Sequence, residues 1–295
     1  MQRLVYLIAY PFLFLIGHLP FRLLYLFSDV IYLLTFYIVR YRRKAVQENL
    51  DLALPHLSKA EKKAIEKKFY KHMCDMFLEM IKTMSITQSE IEKRFIIENL
   101  EVYKDLESKG KSIALMCGHY ASYEWLISIN SKINFKGYAI YKRINNIYFD
   151  NLIKKIRSRF KAYLINSKHS IALIEENEKL GIKGLYGFAS DQSPMLKPSN
   201  YWSKFMGIEV PVHTGAEMLS KRFNMNVIFI KVKKVKRGHY VGTFEVLSEN
   251  VKEIPNYELT ETFLRKVEQQ IIEAPEYYLW THKRWKHRGK KKIGK

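Results

Sequence analysis

Between Leu4 and Gly17 no residue is charged, and from Leu19 to Val39 the only charges are Arg22 and Asp29. Arg40, Arg42, Arg43 and Lys44 come directly after. Each half of the apolar region is short or interrupted for a span of about 20 residues, with Pro11 and Pro20 as the breaks. Residues 1–39 therefore read as a hydrophobic membrane-anchoring helix or helical hairpin, either one tilted span or a hairpin dipping into one leaflet. An apolar helical pair packed on the domain is the plainer reading of the same pattern. Residues 45–58 read as a mixed connector. Ser58 followed three residues later by Glu61 fits a capping box. A helix over 59–84 comes next, because Ile65, Phe69, Met73, Met76, Phe77, Met80 and Ile81 recur at spacings of three and four.

Beyond that helix, the pattern alternates between short apolar runs and amphipathic segments. Strands are expected over 113–117, 137–141, 162–165 and 184–189, and helices over 102–108, 120–131, 148–160 and 169–179. A helix over 215–223 precedes paired strands over 226–233 and 238–247, and a long helix covers 259–273. This alternation predicts an α/β fold: a mainly parallel mixed sheet flanked by helices. Three parts result: an anchor with its basic exit over 1–44, a domain over 45–288, and a basic tail over 289–295.

Composition sharpens the picture. In 295 residues the formal net charge is +21, with 47% hydrophobic and 14% aromatic residues. Global disorder is excluded. The charge favours an acidic partner: nucleic acid, an anionic membrane surface or an acidic carrier protein. No helix-turn-helix, RNP or zinc pattern supports nucleic acid. The basic cluster after the apolar region places the remainder of the chain in the cytoplasm, and no signal-peptide layout is present. Cys74 and Cys117 sit in unrelated contexts and suggest neither a disulfide framework nor a metal cluster.

Candidate chemistry centres on the run from Ser112 to Glu124. A buried strand is expected to end at Cys117, Gly118 to allow a sharp turn, and His119 to stand at the strand's carboxyl end, where α/β folds place ligands. Glu124 lies five residues on, about 140° away on a regular helix. The two can share a site only if His119 lies on the turn and Glu124 in the first turns of the helix. A neighbouring carboxylate would fix the imidazole tautomer and stabilise the imidazolium. Four further blocks accompany this one: Asp191, Gln192, Ser193 and Pro194 at another strand end; Phe205 to Gly207 with Thr214 and Gly215; Tyr141, Lys142, Arg143 and Asn146; and Glu276 to Lys286.

With the apolar N-terminus, this set resembles the bacterial lipid A biosynthesis acyltransferases of the lauroyl and myristoyl type, within the lysophospholipid acyltransferase group. The resemblance implies a bacterial cell inner membrane enzyme with its catalytic domain on the cytoplasmic side. It implies transfer of a fatty acyl chain from an acyl carrier protein thioester to a hydroxyl of a lipid A precursor, without cofactor or metal. His119 would be the general base, Glu124 its carboxylate partner, and Asp191 an orienting acid. Backbone N–H groups after Gly118 would hold the oxyanion. Lys142, Arg143, Asn146, Gln192, Thr214, Gly215 and Arg284 would contact substrate. The family has Tyr-Arg-Pro where this chain has Tyr141, Lys142 and Arg143, so bidentate phosphate recognition is lost at Lys142. Lysophospholipids and glycine or ornithine lipids are alternative acceptors, and coenzyme A an alternative carrier. Further basic residues, Lys231 to Arg237 and the segment after His282, read as headgroup attraction.

Overall fold

The computed structural model describes residues 1–196 and 201–290; residues 291–295 of the basic tail lie outside them. Two N-terminal helices, α1 (Gln2–His18) and α2 (Phe21–Leu33), precede α3 (Arg43–Ala53), α4 (Lys59–Lys82) and α5 (Gln88–Arg94). A π-helical turn over Leu34–Val39 prolongs α2. Next come β1 (Phe95–Ile97), α6 (Leu100–Ser108), β2 (Ile113–Cys117), a 3-10 helix over Tyr123–Ser131, β3 (Lys136–Tyr141) and α7 (Ile147–Arg157). They are followed by β4 (Ala162–Asn166), α8 (Ser170–Lys179), β5 (Gly184–Ala189), β6 (Trp202–Phe205) and β7 (Ile208–Pro211). The last elements are α9 (Gly215–Phe223), β8 (Asn226–Lys236), β9 (His239–Ser248) and α10 (Glu258–Glu273).

Seven strands form one sheet in the order β1-β9-β8-β2-β5-β3-β4. β2 runs parallel to both neighbours, β5 and β8, and β3 runs parallel to β4 and β5. Among the described residues, only the pairing of β8 with β9 is antiparallel within this sheet. β2 is buried at every position, as expected of a strand covered on both faces. Gly118, one residue beyond it, faces α10: a Cβ there would press on both methyls of Val267 at 3.4 Å. Cys117 and His119 alternate to the opposite face.

Several elements differ from the sequence reading, each for a local reason. The helix expected over 120–131 is a 3-10 helix starting at Tyr123. The left-handed residue of the turn before it is Ala121, at φ 49°, rather than Gly118. The connector over 45–58 is mostly α3, whose Val46, Leu50 and Ala53 bury one face. Phe205 to Gly207 belongs to a hairpin: β6 pairs antiparallel with β7, and Met206 and Gly207, at φ 52° and 76°, make the tight turn. The capping box forms, with Ser58 and Glu61 satisfying each other's backbone N–H.

The N-terminal region is a hairpin folded onto the domain. Pro11 sits inside α1 without ending it, while Pro20 precedes the first residue of α2. Tyr6 of α1 stacks on Tyr148 of α7 at 5.6 Å. Gly17 lets α1 close on Ile81 and Met84, at the end of α4. On α2, Ser28 and Tyr25 point inward: Ser28 donates to Asp75 at 2.7 Å, and Tyr25 donates to Glu79 at 2.9 Å. Arg237, in the β8–β9 turn, forks onto both oxygens of Asp29 and both of Asp75. Lys234 is buried beside Asp75 and Lys231 pairs with Glu273. Lys231, Lys234 and Arg237 of the basic run therefore hold the fold together, which leaves only the exposed Lys233 and Lys236 of that run for the headgroup attraction expected of it. The outward face of the hairpin is apolar: Leu4, Ile8, Phe12 and Leu15 on α1, and Leu26, Val30 and Leu33 on α2, are exposed.

Candidate active site

His119 stands where β2 leaves the sheet, and Asp191 stands two residues past the end of its neighbour β5. The two strands run in register from Ile113 opposite Leu185 to Cys117 opposite Ala189, so the residues just beyond them meet. His119 Nδ1 and Asp191 Oδ1 are 2.7 Å apart. The same carboxylate oxygen accepts the His119 backbone N–H at 3.1 Å. The Asp191 side chain is 0% exposed, whereas that of His119 is 21% exposed. Burial pushes the Asp191 carboxyl up, but the attraction and hydrogen bonds of His119 outweigh it and leave it below the usual carboxylate range. Burial likewise pulls the His119 imidazole down, and Asp191, aided by Glu124, reverses this and leaves it raised. An ionised Asp191 can only accept, so Nδ1 carries the proton and Nε2 is left as the basic nitrogen.

The carboxylate that grips His119 is Asp191, not Glu124. Glu124 is instead held by Arg157 through two parallel bonds of 3.0 and 2.6 Å. This corrects the expectation that Glu124 would hold the ring directly: the 3-10 helix and the fork of Arg157 direct its carboxylate to α7. It acts on His119 through space. The ring of Tyr123 meets the His119 ring edge-on at 5.0 Å.

A cavity of about 490 Å³ runs along the sheet face that carries His119. Leu115 and Cys117 of β2, Gly187 and Ala189 of β5, and Ala139 of β3 line it from below. Phe77 and Met80 of α4 and Leu126 and Ile127 of the 3-10 helix line it from above. Its polar residues include His119, Tyr123, Glu124, Arg157, Lys142 and Gln192. The arrangement is a mostly apolar cavity with a proton acceptor at the end where β2 and β5 terminate. It suits a long apolar substrate whose reactive group lies at one end.

The other residues singled out in the sequence divide. Lys142 and Gln192 line the cavity. Arg143 is largely exposed and lies 4.0 Å from Asp150. Asn146 caps α7 by accepting from the backbone of Tyr148 and Phe149 and donates to Gln2 of α1, which gives it a structural task. Thr214 and Gly215 start α9 and are not among the residues around this cavity. Arg284 is 0% exposed, donates to the Pro211 carbonyl at 3.2 Å and stacks on Phe205. Its expected contact with substrate is corrected: the side chain is sealed in the core behind the hairpin of β6 and β7. His282 accepts the Ser193 N–H. The N–H groups expected to hold an oxyanion are in part taken, His119 by Asp191 and Ala121 by the Tyr277 carbonyl.

Sequence reasoning missed Arg157 and Tyr123. Arg157 was legible as the residue four after Ile153 on α7, which turns both toward the cavity.

Comparisons with known proteins agree with one another. The family described as "Bacterial lipid A biosynthesis acyltransferase" matches residues 2–287. A lipid A biosynthesis palmitoleoyltransferase of Escherichia coli (strain K12) is 23% identical over 255 residues, covering 84% of this chain and 79% of that protein. A lipid A biosynthesis lauroyltransferase of the same organism is 22% identical over 277 residues, covering 94% and 89%. A lipid A biosynthesis acyltransferase of Shigella flexneri is 23% identical over 255 residues, covering 84% and 79%.

Proposed function

The chain belongs to the bacterial lipid A biosynthesis acyltransferase family and is an acyltransferase, and we propose that it moves a fatty acyl chain from an acyl carrier protein thioester to a hydroxyl of a lipid A precursor. The observation that carries this reading is the His119–Asp191 pair at the mouth of a largely apolar cavity. The acyl chain lies along the sheet face. Its thioester carbonyl rests near His119.

Each step has a residue to perform it. A sugar or hydroxyacyl alcohol is a weak nucleophile at neutral pH. Nε2 of His119 takes its proton as the oxygen attacks the carbonyl carbon. Asp191 keeps the ring in the tautomer that leaves Nε2 free, and with Glu124 it stabilises the imidazolium. The new C–O bond forms and a tetrahedral oxyanion appears. Gln192, beside Asp191 and on the cavity wall, is the donor we assign to it. The C–S bond then breaks, and the imidazolium returns its proton to the departing sulfur. Lys142 at the cavity and exposed Arg143 beside it attract the phosphates of the acceptor or the acidic carrier.

The hairpin of α1 and α2 lies in one leaflet of the inner membrane, with the catalytic domain on the cytoplasmic side. Phe21–Val39 has the length and mean hydropathy, 1.6, to span a bilayer. However, Asp29, Ser28 and Tyr25 bind it sideways to α4 and the β8–β9 turn, so a crossing would drag charged residues into hydrocarbon. Arg40 and Lys44, exposed just after the hairpin, meet the headgroups.

Mass spectrometry of lipids from cells with and without the gene tests the whole reading. The expected difference is one acyl chain on a lipid A species. A difference confined to glycerophospholipids or ornithine lipids would transfer the chemistry to another acceptor.

A further inference from the structure

We propose that Gly187 sets the acyl-chain length this enzyme accepts, and that the contact of Asn130 with Gly137 forms the end of the cavity. This rests on the acyl-transfer reading above. Gly187 sits mid-way along β5, level with Leu115 of β2 and Ala139 of β3. It lines the cavity. Its backbone is not in the left-handed region, and a Cβ built on it would meet only the Tyr138 carbonyl oxygen, at an ordinary 3.5 Å. Neither conformation nor crowding requires glycine there. What its missing side chain supplies is space over the sheet, and the small side chains of Ala139 and Ala189 beside it enlarge that space.

Gly137 is the opposite case. A Cβ on it would lie 1.4 Å from Asn130 Oδ1, so the Asn130 side chain already fills that volume. Asn130 Nδ2 donates to the Ile127 carbonyl at 2.8 Å, which fixes the amide. Its Oδ1 is buried without a hydrogen-bond partner. Both residues line the cavity, so the space over the sheet ends where the fixed Asn130 side chain fills it.

The strands give the depth. Leu115, level with Gly187, lies four residues before His119, about 13 Å at ~3.3 Å per residue. An extended hydrocarbon advances about 1.25 Å per methylene, from a carbon–carbon bond near 1.52 Å at a tetrahedral angle. A chain held at His119 therefore passes Gly187 at about its tenth carbon. Gly137 pairs with Leu185, two residues deeper, which puts the cavity end at about the sixteenth carbon.

The test compares kcat/KM for saturated acyl donors of different lengths, on carrier protein and on coenzyme A, in full-length wild type, Gly187→Ala, Gly187→Leu and Asn130→Ala. Gly187→Leu should raise the preference for a ten-carbon over a fourteen-carbon donor at least tenfold, since single methylenes in a pocket count for about that much. Gly187→Ala should move the ratio less, in the same direction. Asn130→Ala should improve eighteen-carbon donors several-fold relative to twelve-carbon ones. An unchanged ratio in both Gly187 variants, or an equal loss on every donor, overturns the assignment of Gly187. An unchanged long-chain preference in Asn130→Ala overturns the end stop. Wild-type protein that transfers no acyl group from any donor, with folding intact by circular dichroism, overturns the acyl-transfer reading itself.

Discussion

At the scale of single residues, the decisive contact is the 2.7 Å bond between His119 and Asp191. If His119 is the base, His119→Ala should lower turnover about 10²- to 10⁴-fold while thermal unfolding stays close to wild type. Wild-type turnover in a folded mutant ends that assignment. Because the imidazole is raised above its usual 6.5 by Asp191, and must be neutral to accept a proton, kcat/KM should fall as pH drops through a value above 6.5. Asp191→Asn removes the charge that raises it, so burial then dominates and the acid limb should move to lower pH as the maximum falls. A limb that stays in place shows that Asp191 does not tune the base. The histidine and both carboxylates were legible in sequence, because a strand, a glycine and a histidine at its end carry a recognisable pattern. Which acid touches the ring was not legible. That depends on the register of β2 with β5 and on Arg157 claiming Glu124, contacts that join residues 72 and 33 positions apart.

At the scale of elements, helices and strands with a clear period were readable, and short or shape-dependent pieces were not. β5 and α9 coincide with the expected spans. The hairpin of β6 and β7 has only four residues per strand, too few for alternation to show. α3 was hidden because Asn49, a poor helix former, serves instead to bind the Trp280 and His282 carbonyls. The basic run in β8 shows how composition misleads: Arg237 faces two carboxylates, Asp75 among them only 2% exposed. Arg237→Ala would leave that buried acid to Ser28 and Lys234 alone. Losing charge-assisted hydrogen bonds should cost about 2 kcal/mol, seen as a lowered unfolding midpoint in detergent. A midpoint unchanged within error shows the cluster to be solvent-screened.

At the scale of the molecule, the sheet, the cavity and the apolar hairpin form one continuous assembly. The composition pointed to an acidic or membranous partner, and the outer face of α1 favours lipid. Replacing Ile8, Phe12 and Leu15, all exposed, together by glutamate should abolish flotation with anionic vesicles and leave circular dichroism unchanged. Continued flotation shows that the basic surface alone suffices. Such changes are preferable to removing residues 1–39, since that deletion also strips the cover from α4.

The Arg237 clamp has a consequence for how a lipid acceptor is chosen. The turn that holds α2 is the far end of the hairpin whose other end, in β8, runs beside the strand leading to His119. With the hairpin in the membrane as proposed, the embedded part and His119 would stand at a separation fixed by protein rather than by lipid. On that reading only an alcohol that projects from the bilayer to that height would be within reach, and the protein would select its acceptor partly as a depth gauge.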